Sequence, residues 1–190
     1  VWLTGLGGAS DADGSADPRT SGFDGDHAGV LFGGDLALGS AAWVGAFVGH
    51  ERQDQQFKDL PGDLRYDGNV YGLYGGFSTD SLSVSGYLSY QDGESDSERR
   101  IAGPSLAQTV GGEFDLDTLA VHVAGVWPAL WQRGAYQIRP VTGLTFVDVD
   151  RQGLRERGGA FALDVTSGDA QALFADVGVT LFGGGDGPGV

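Results

Sequence analysis

The sequence predicts an all-β fold, an antiparallel up-and-down β-barrel that spans a membrane. Three observations carry this prediction: apolar and polar residues alternate with a period of two, connection lengths alternate between short and long, and no segment shows a persuasive helical period. Glycine takes 35 of the 190 positions, without the period of three that is typical of collagen, and cysteine is absent. Disulfides, thiolate metal sites and a cysteine nucleophile are therefore excluded.

The clearest predicted strand covers residues 82–91, which have one apolar and one polar face. The apolar positions are Leu82, Val84, Gly86, Leu88 and Tyr90, and the polar positions are Ser83, Ser85, Tyr87, Ser89 and Gln91. Residues 136–146 repeat the pattern. Rougher alternation predicts further strands over residues 1–8, 28–38, 41–53, 64–77, 116–129 and 171–182. This makes about eight strands of a length that can cross a bilayer.

The predicted connections differ systematically in length. Short connections lie at residues 39–40, 78–81 and 130–134, and long, acidic ones at residues 9–26, 54–63, 92–115 and 148–170. Outer-membrane barrels have short periplasmic turns at one end and long extracellular loops at the other. An even number of strands then brings the first and last strand ends to the short-turn end. The first and last strands then either pair with each other or remain exposed edges, and we expect closure or near-closure, since a bilayer does not tolerate unpaired backbone.

The two faces of the strands are expected to meet different surroundings. The predicted lipid-facing residues are Leu82, Val84, Leu88, Ile138, Leu144 and Phe146, and the predicted lumen-lining residues are Asp35, Tyr74, Ser85, Tyr87, Arg139 and Thr145. Glycines on the lumen face are expected to leave interior space; they are Gly29, Gly33, Gly72, Gly76 and Gly143. Aromatic residues near strand ends are expected at the lipid headgroups, namely Trp43, Tyr71, Phe77, Trp127, Trp131 and Tyr136. The alternative is a soluble barrel with these rings in its core.

Charge and motif content argue against several other functions. The net charge of −15 argues against a nucleic-acid partner, because phosphate binding needs a basic surface. A calcium loop around Asp11, Asp13 and Asp17 lacks a bidentate glutamate, and the single Gly183–Asp186 segment is not a repeat, so we expect no metal and no cofactor. The histidines His27, His50 and His122 have no serine elbow or paired acid nearby in sequence. We therefore expect no enzyme activity.

Several short motifs follow one another along nearly the whole chain. In order they are Val1-Trp2-Leu3 with Gly5 and Gly8, GVLFGGD at residues 29–35, residues 45–50, YGLYGGF at 71–77, residues 82–90, Arg99-Arg100-Ile101, RPVTGLTF at 139–146, and Glu156 with Gly158. In this order they resemble the translocator β-domain of autotransporters, the type V secretion proteins of Gram-negative bacteria.

The resemblance implies a barrel of about twelve strands, of which this chain carries the first eight or so, roughly two-thirds. Residues 1–182 would form the barrel domain, and residues 183–190 a glycine-rich tail or truncated connection. The implied function is to anchor and help export an upstream passenger at the outer membrane, with lipid, the barrel-assembly machinery and the passenger as partners. The alternatives are a small porin-like or adhesin barrel and a soluble lipocalin-like barrel that binds a ligand.

Overall fold

The computed structural model describes residues 1–14, 21–58, 61–79, 81–103 and 106–183. The strands are β1 (Trp2–Ala12), β2 (Phe23–Leu38), β3 (Ala42–Phe57), β4 (Gly62–Ser78), β5 (Ser83–Gly103), β6 (Leu106–Val126), β7 (Trp131–Arg133), β8 (Tyr136–Arg151), β9 (Leu154–Arg155), β10 (Asp164–Val165) and β11 (Gly168–Gly183). No helix of the described residues is long and apolar enough to cross a membrane.

The strands form an antiparallel meander, as the sequence predicts. One sheet has the order β1-β2-β3-β4-β5-β6-β8-β11, with the short β7 paired to β8, and β9 pairs with β10 in a separate two-stranded sheet. Each strand of the main path pairs antiparallel with its neighbour. The expected all-β, up-and-down topology is therefore confirmed.

β1 begins and β11 ends on the same side of the sheet. Trp2 pairs with Gly33 near the end of β2, and Gly183 pairs with Tyr136 at the start of β8. Both pairs lie towards the tight turns at Gly39 and Gly134, each of which has a positive φ. The expectation that both strand ends lie at the short-turn end is confirmed.

Closure of the sheet by its first and last strands was expected, and this expectation is wrong. Within the described residues, β1 pairs only with β2 and β11 pairs only with β8. The sheet is curled: the side chain of Trp2 on β1 contacts that of Tyr74 on β4, although two strands lie between them. Barrel diameter grows with strand number, so a sheet with the curvature of a wider barrel covers only part of its circumference.

The predicted long loops are mostly strand. β5 and β6 are 21 residues long each and pair up to Gly103 and Leu106, so residues 92–103 and 106–115 of the predicted loop are paired strand. Neither face of such an extension has to be apolar towards lipid, which removes the alternation that reveals a strand in sequence. Backbone pairing continues nevertheless. Residues 152–167 keep a connection of their own, which contains the β9–β10 hairpin.

The curl distinguishes a concave from a convex face. Residues directly opposite in antiparallel pairs share a face, and only the concave face lets non-adjacent strands touch. Gln91 on β5 donates a hydrogen bond to Glu51 on β3 at 3.2 Å on the same face as Trp2 and Tyr74. The buried residues Tyr66, Val70 and Ser95 also lie on this concave face.

Candidate functional site

The convex face carries a continuous apolar band. Leu73, Leu88, Val121, Phe146 and Leu173 are paired in succession across β4, β5, β6, β8 and β11. Leu73 is 57% exposed, Leu88 44% and Leu173 65%. A water-soluble domain would bury such a row, since monomeric proteins rarely expose large contiguous apolar patches.

The predicted lipid-facing residues lie on or next to this band. Val84, Leu88, Ile138, Leu144 and Phe146 occupy the convex face by register. The remaining one, Leu82, precedes β5, and its carbonyl accepts a hydrogen bond from the amide of Thr79 in the tight turn.

Aromatic residues lie at both ends of the apolar band. On one side Tyr71 pairs with Tyr90 across β4 and β5. On the short-turn side Trp127 is exposed on the convex face, and its Nε1 donates to Thr142 Oγ1 at 2.9 Å. Trp131, paired with Ile138, lies nearby. These positions suit rings at a membrane interface.

Trp43 does not join the interface rings. Its register partner is Gly76, which pairs with Ser85, so Trp43 lies on the concave face. The expectation of a headgroup position is wrong for this residue. A period-two pattern does not show which face a ring takes when both faces contain aromatic residues.

The predicted lumen-lining residues all lie on the concave face. Four of them form one row, in which the register runs Asp35, Gly45, Tyr74, Tyr87, His122 and Thr145 from β2 to β8. Ser85 lies in the next row, opposite Gly76. Arg139 lies closer to the short-turn end, with its guanidinium 5.7 Å from the centre of the Phe182 ring.

An aromatic cluster covers the β1–β4 part of this face. The Trp43 and Tyr74 ring centroids are 5.4 Å apart, Phe47 and Tyr74 6.1 Å, and Trp2 and Tyr74 6.1 Å. Trp2 Nε1 donates to the Tyr74 hydroxyl at 2.6 Å, and that hydroxyl donates to Asp35 Oδ1 at 3.2 Å. The cluster lines an open groove of about 520 Å³, here called the Asp35 groove, together with Leu31 and Tyr87.

The concave glycines make room for these rings. A Cβ added to Gly33 would overlap Trp2, one added to Gly45 would overlap Tyr74, and one added to Gly72 would overlap Phe47. The expectation that glycine leaves empty interior space is therefore corrected at Gly33 and Gly72, because aromatic side chains of neighbouring strands occupy it. Sequence reasoning missed Gly45 as a member of this set.

An ion pair fastens the loop-end hairpin to the concave side of β5. The side chain of Glu156 is 4% exposed and that of Arg99 33%, and Arg99 Nη2 lies 2.7 Å from Glu156 Oε2. Arg99 also donates to the Phe161 carbonyl at 3.2 Å, and the Leu163 amide donates to Glu156 Oε2 at 2.9 Å. The hydrogen bond from Arg99 lowers the pKa of Glu156, although burial opposes this. The two resemblance motifs at residues 99–101 and 156–158 thus meet in space.

The β9–β10 hairpin also extends the sheet beside β6. The backbones of Gly111 and Arg157 exchange hydrogen bonds of 3.0 and 2.7 Å. Gly158 has a φ of 110° and lies against the Thr109 carbonyl, so this position favours glycine for both conformation and space. No local sequence signal would have shown that Arg99 and Glu156 are partners, since 57 residues separate them.

The candidate calcium loop contains a different cation. The Lys58 ammonium lies within 2.5 Å of Asp11, 3.3 Å of Asp13 and 3.5 Å of Asp24, which ties together the ends of β1, β2 and β3. The hydrogen bond to Asp11 raises the pKa of Lys58. Asp17 and residues 184–186 of the Gly183–Asp186 segment lie outside the described residues.

The three histidines lie in separate environments. His122 Nδ1 is 2.8 Å from Thr145 Oγ1, and its ring stacks on Tyr87 with centroids 5.2 Å apart. His50 Nε2 lies 3.4 Å from Asp67 on the convex side. The His27 ring lies against Gly8.

Comparison with known proteins agrees with the fold and with the family resemblance. Residues 1–187 match the family model of the autotransporter beta-domain, and no curated protein matches the sequence. The structure is similar to the translocator domain of autotransporter NalP from Neisseria meningitidis, with a TM-score of 0.70, 14% identity, and coverage of 94% of this chain and 59% of that chain. This likeness shows the fold, and this chain spans 59% of that relative's length. Because the family match extends over almost every residue, the chain belongs to the autotransporter beta-domain family, a family of structural barrels.

Proposed function

We propose that the chain forms the membrane-embedded wall of a translocator that anchors a protein and helps export its upstream passenger to the cell surface. Membership of the family locates the chain in the outer membrane of a Gram-negative bacterium. The observation that carries the proposal is the division of one antiparallel sheet into an exposed apolar convex face and a concave face with polar and aromatic groups. Lipid would meet the first face, and the exported chain would meet the second.

The position of each residue in the sheet supports its proposed role. Val84, Leu88, Ile138, Leu144 and Phe146 face lipid, and Leu82 lies at the edge of the band. The lumen is lined by Asp35, Tyr74, Ser85, Tyr87, Arg139 and Thr145. Residues 1–182 belong to the barrel domain and residues 183–190 to a glycine-rich tail or connection, of which Gly183 is also the last residue of β11.

The proposed partners are membrane lipid, the barrel-assembly machinery and the upstream passenger. The two unpaired sheet edges support a role for the assembly machinery, because unpaired backbone is costly in hydrocarbon. Export is passive, with no cofactor and no reaction catalysed by the barrel.

Surface display tests this proposal. The native gene is expressed with an epitope upstream of Val1, and intact cells are treated with protease. We expect loss of the epitope from intact cells, because the upstream segment reaches the surface. An epitope that is cleaved only after the outer membrane is permeabilised contradicts the proposal.

A further inference from the structure

The Asp35 groove combines aromatic faces with one carboxylate. Its lining residues are Trp2, Leu31, Asp35, Trp43, Phe47, Tyr74 and Tyr87, so Asp35 is the only charged side chain in it. Among the described residues Asp35 forms no ion pair, and its carboxylate accepts a hydrogen bond from Tyr74. An ionised carboxylate has about four lone-pair sites, so capacity for another donor remains.

Trp2 and Tyr74 hold this carboxylate in place. The Trp2 indole donates to the Tyr74 hydroxyl at 2.6 Å, which leaves the hydroxyl proton to donate to Asp35. The Tyr74 ring is itself held against Trp43 and Phe47. The charged group and the aromatic faces are therefore oriented before any ligand arrives.

This chemistry selects a cation, and in particular a flat one. Aromatic faces attract cations within about 6 Å of the ring centroid, and a carboxylate adds a charged hydrogen bond. A guanidinium group can stack on a ring and pair with a carboxylate at the same time, whereas an ammonium group is a compact and strongly hydrated charge.

The open shape of the groove favours a polypeptide ligand over a small molecule. Small-molecule sites bury about 70–90% of their ligand. Trp43 is 37% exposed and Tyr87 40% exposed, so the groove is open to solvent on one side. A chain segment that lies along the concave face would supply its own cover.

We propose that the Asp35 groove binds the guanidinium group of an arginine carried by a polypeptide segment on the concave face. The inference rests on the proposed function, which supplies such a segment as the exported chain. Asp35 pairs with the guanidinium, Trp43 and Tyr74 stack against it, and Trp2 positions Tyr74.

Peptide titration of the protein purified from membranes in detergent tests this inference. The probes are acetyl-Ala-Arg-Ala-amide, the same peptide with citrulline, and free methylguanidinium, and the readout is fluorescence of Trp2 and Trp43 in a Trp127→Phe, Trp131→Phe background. We expect millimolar binding of the arginine peptide, at least about tenfold weaker binding of the citrulline peptide, and weaker binding of methylguanidinium. Equal binding of both peptides overturns the cation assignment, and equal binding of methylguanidinium overturns the polypeptide assignment.

Three variants locate the site. Asp35→Asn should weaken binding of the arginine peptide about tenfold. Asp176→Asn removes a different carboxylate on the concave face, on β11, and should leave binding of the peptide unchanged. Tyr74→Phe should weaken it less than Asp35→Asn, since the ring remains. Equal effects of Asp35→Asn and Asp176→Asn overturn the assignment, and far-ultraviolet circular dichroism verifies that each variant is folded.

The display assay separates this inference from the proposed function. If the wild-type epitope never reaches the surface, the proposed function fails whatever the peptides do. If the epitope is displayed normally and the peptides bind without charge selectivity, only the assignment of the Asp35 groove fails.

Discussion

At the scale of single residues, the concave wall depends on glycines that face aromatic rings. Tyr74 lies over Gly45 of the adjacent strand and is enclosed by Trp2 and Trp43. Its ring can therefore not swing aside without disturbing two tryptophans and the hydrogen bond to Asp35. Glycine is required at position 45 because a Cβ would overlap the Tyr74 ring. The backbone there is extended and could be adopted by any residue.

Gly45→Ala tests this requirement. The new methyl group would overlap the Tyr74 ring, so we expect a loss of about 1–3 kcal/mol of unfolding free energy. Urea unfolding in detergent, followed by tryptophan fluorescence, measures it. Gly178→Ala is the matched control. Gly178 also lies on the concave face, and a Cβ added there would meet no atom within 4 Å. Equal stability of the two variants would show that the ring adapts freely.

At the scale of elements, the sequence predicted the part of each strand in which apolar and polar residues alternate. It did not predict the strand extensions at the long-loop end. Residues 82–91 were recognisable because leucine and valine alternate with serine there. Residues 92–103 of the same strand are mostly polar, charged or glycine on both faces, and they were predicted as loop. Strand pairing also placed Trp43 on the face opposite to the one predicted, which hydropathy could not decide.

The β9–β10 hairpin was not predictable for a different reason. Its position depends on Arg99 and Glu156, which are far apart in sequence and become partners only when β5 and the hairpin pack together. Charged residues in an acidic chain are common, so the pair has no distinctive local pattern. The motifs around both residues were nevertheless noted, as part of the resemblance.

Glu156→Gln tests whether this ion pair holds the hairpin. One partner of a buried pair would be lost while Arg99 stays partly exposed, so we expect the hairpin to be destabilised by about 1–3 kcal/mol. Hydrogen exchange of residues 154–165, read by mass spectrometry, measures the change. Glu94→Gln removes an exposed carboxylate and should leave the exchange unchanged.

Acid should have the same effect as this substitution. The Arg99 hydrogen bond lowers the pKa of folded Glu156 below that of the unfolded chain. Its contribution is therefore complete above the ordinary glutamate pKa of about 4.3 and is lost as the pH falls through the lower folded value. Hairpin protection in the wild type should hold at neutral pH and decline below about pH 4, and Glu156→Gln should lack this step. A wild-type hairpin that opens near pH 6 would contradict the assignment.

At the scale of the whole molecule, two bare sheet edges govern behaviour in a membrane. The backbone of β1 has no partner on one side and neither does that of β11, within the residues that the structure describes. Unpaired donors and acceptors are costly in hydrocarbon and recruit other strands in water. The sheet therefore has the apolar outer face of a membrane barrel, but its two edge strands do not pair with each other.

The chain refolded alone in detergent should consequently associate through its edges. We expect sedimentation to show oligomers, and electrophoresis to show no compact species that converts to a slower band on heating. A monomer that is resistant to detergent and shifts on heating would mean that β1 and β11 close on each other, contrary to the open sheet.

The assignment of the convex face to lipid makes the last prediction, which uses two residues of one strand. Leu88 lies in the middle of the apolar band and is 44% exposed, and Ser85 lies on the opposite, concave face. Leu88→Arg puts a charge into hydrocarbon at a cost of about 2–4 kcal/mol. Ser85→Arg puts the same charge on the polar side, where it keeps water.

Expressed from the native gene, the Leu88→Arg protein should therefore fail to assemble in the outer membrane, and the Ser85→Arg protein should assemble normally. Assembly is read from membrane fractions by the heat-induced shift in electrophoresis. Because the two substitutions add the same side chain to the same strand, a difference between them reports the face and not the arginine. Normal assembly of Leu88→Arg, or a wild-type chain that stays monomeric and soluble without detergent, would mean that the convex face does not meet lipid.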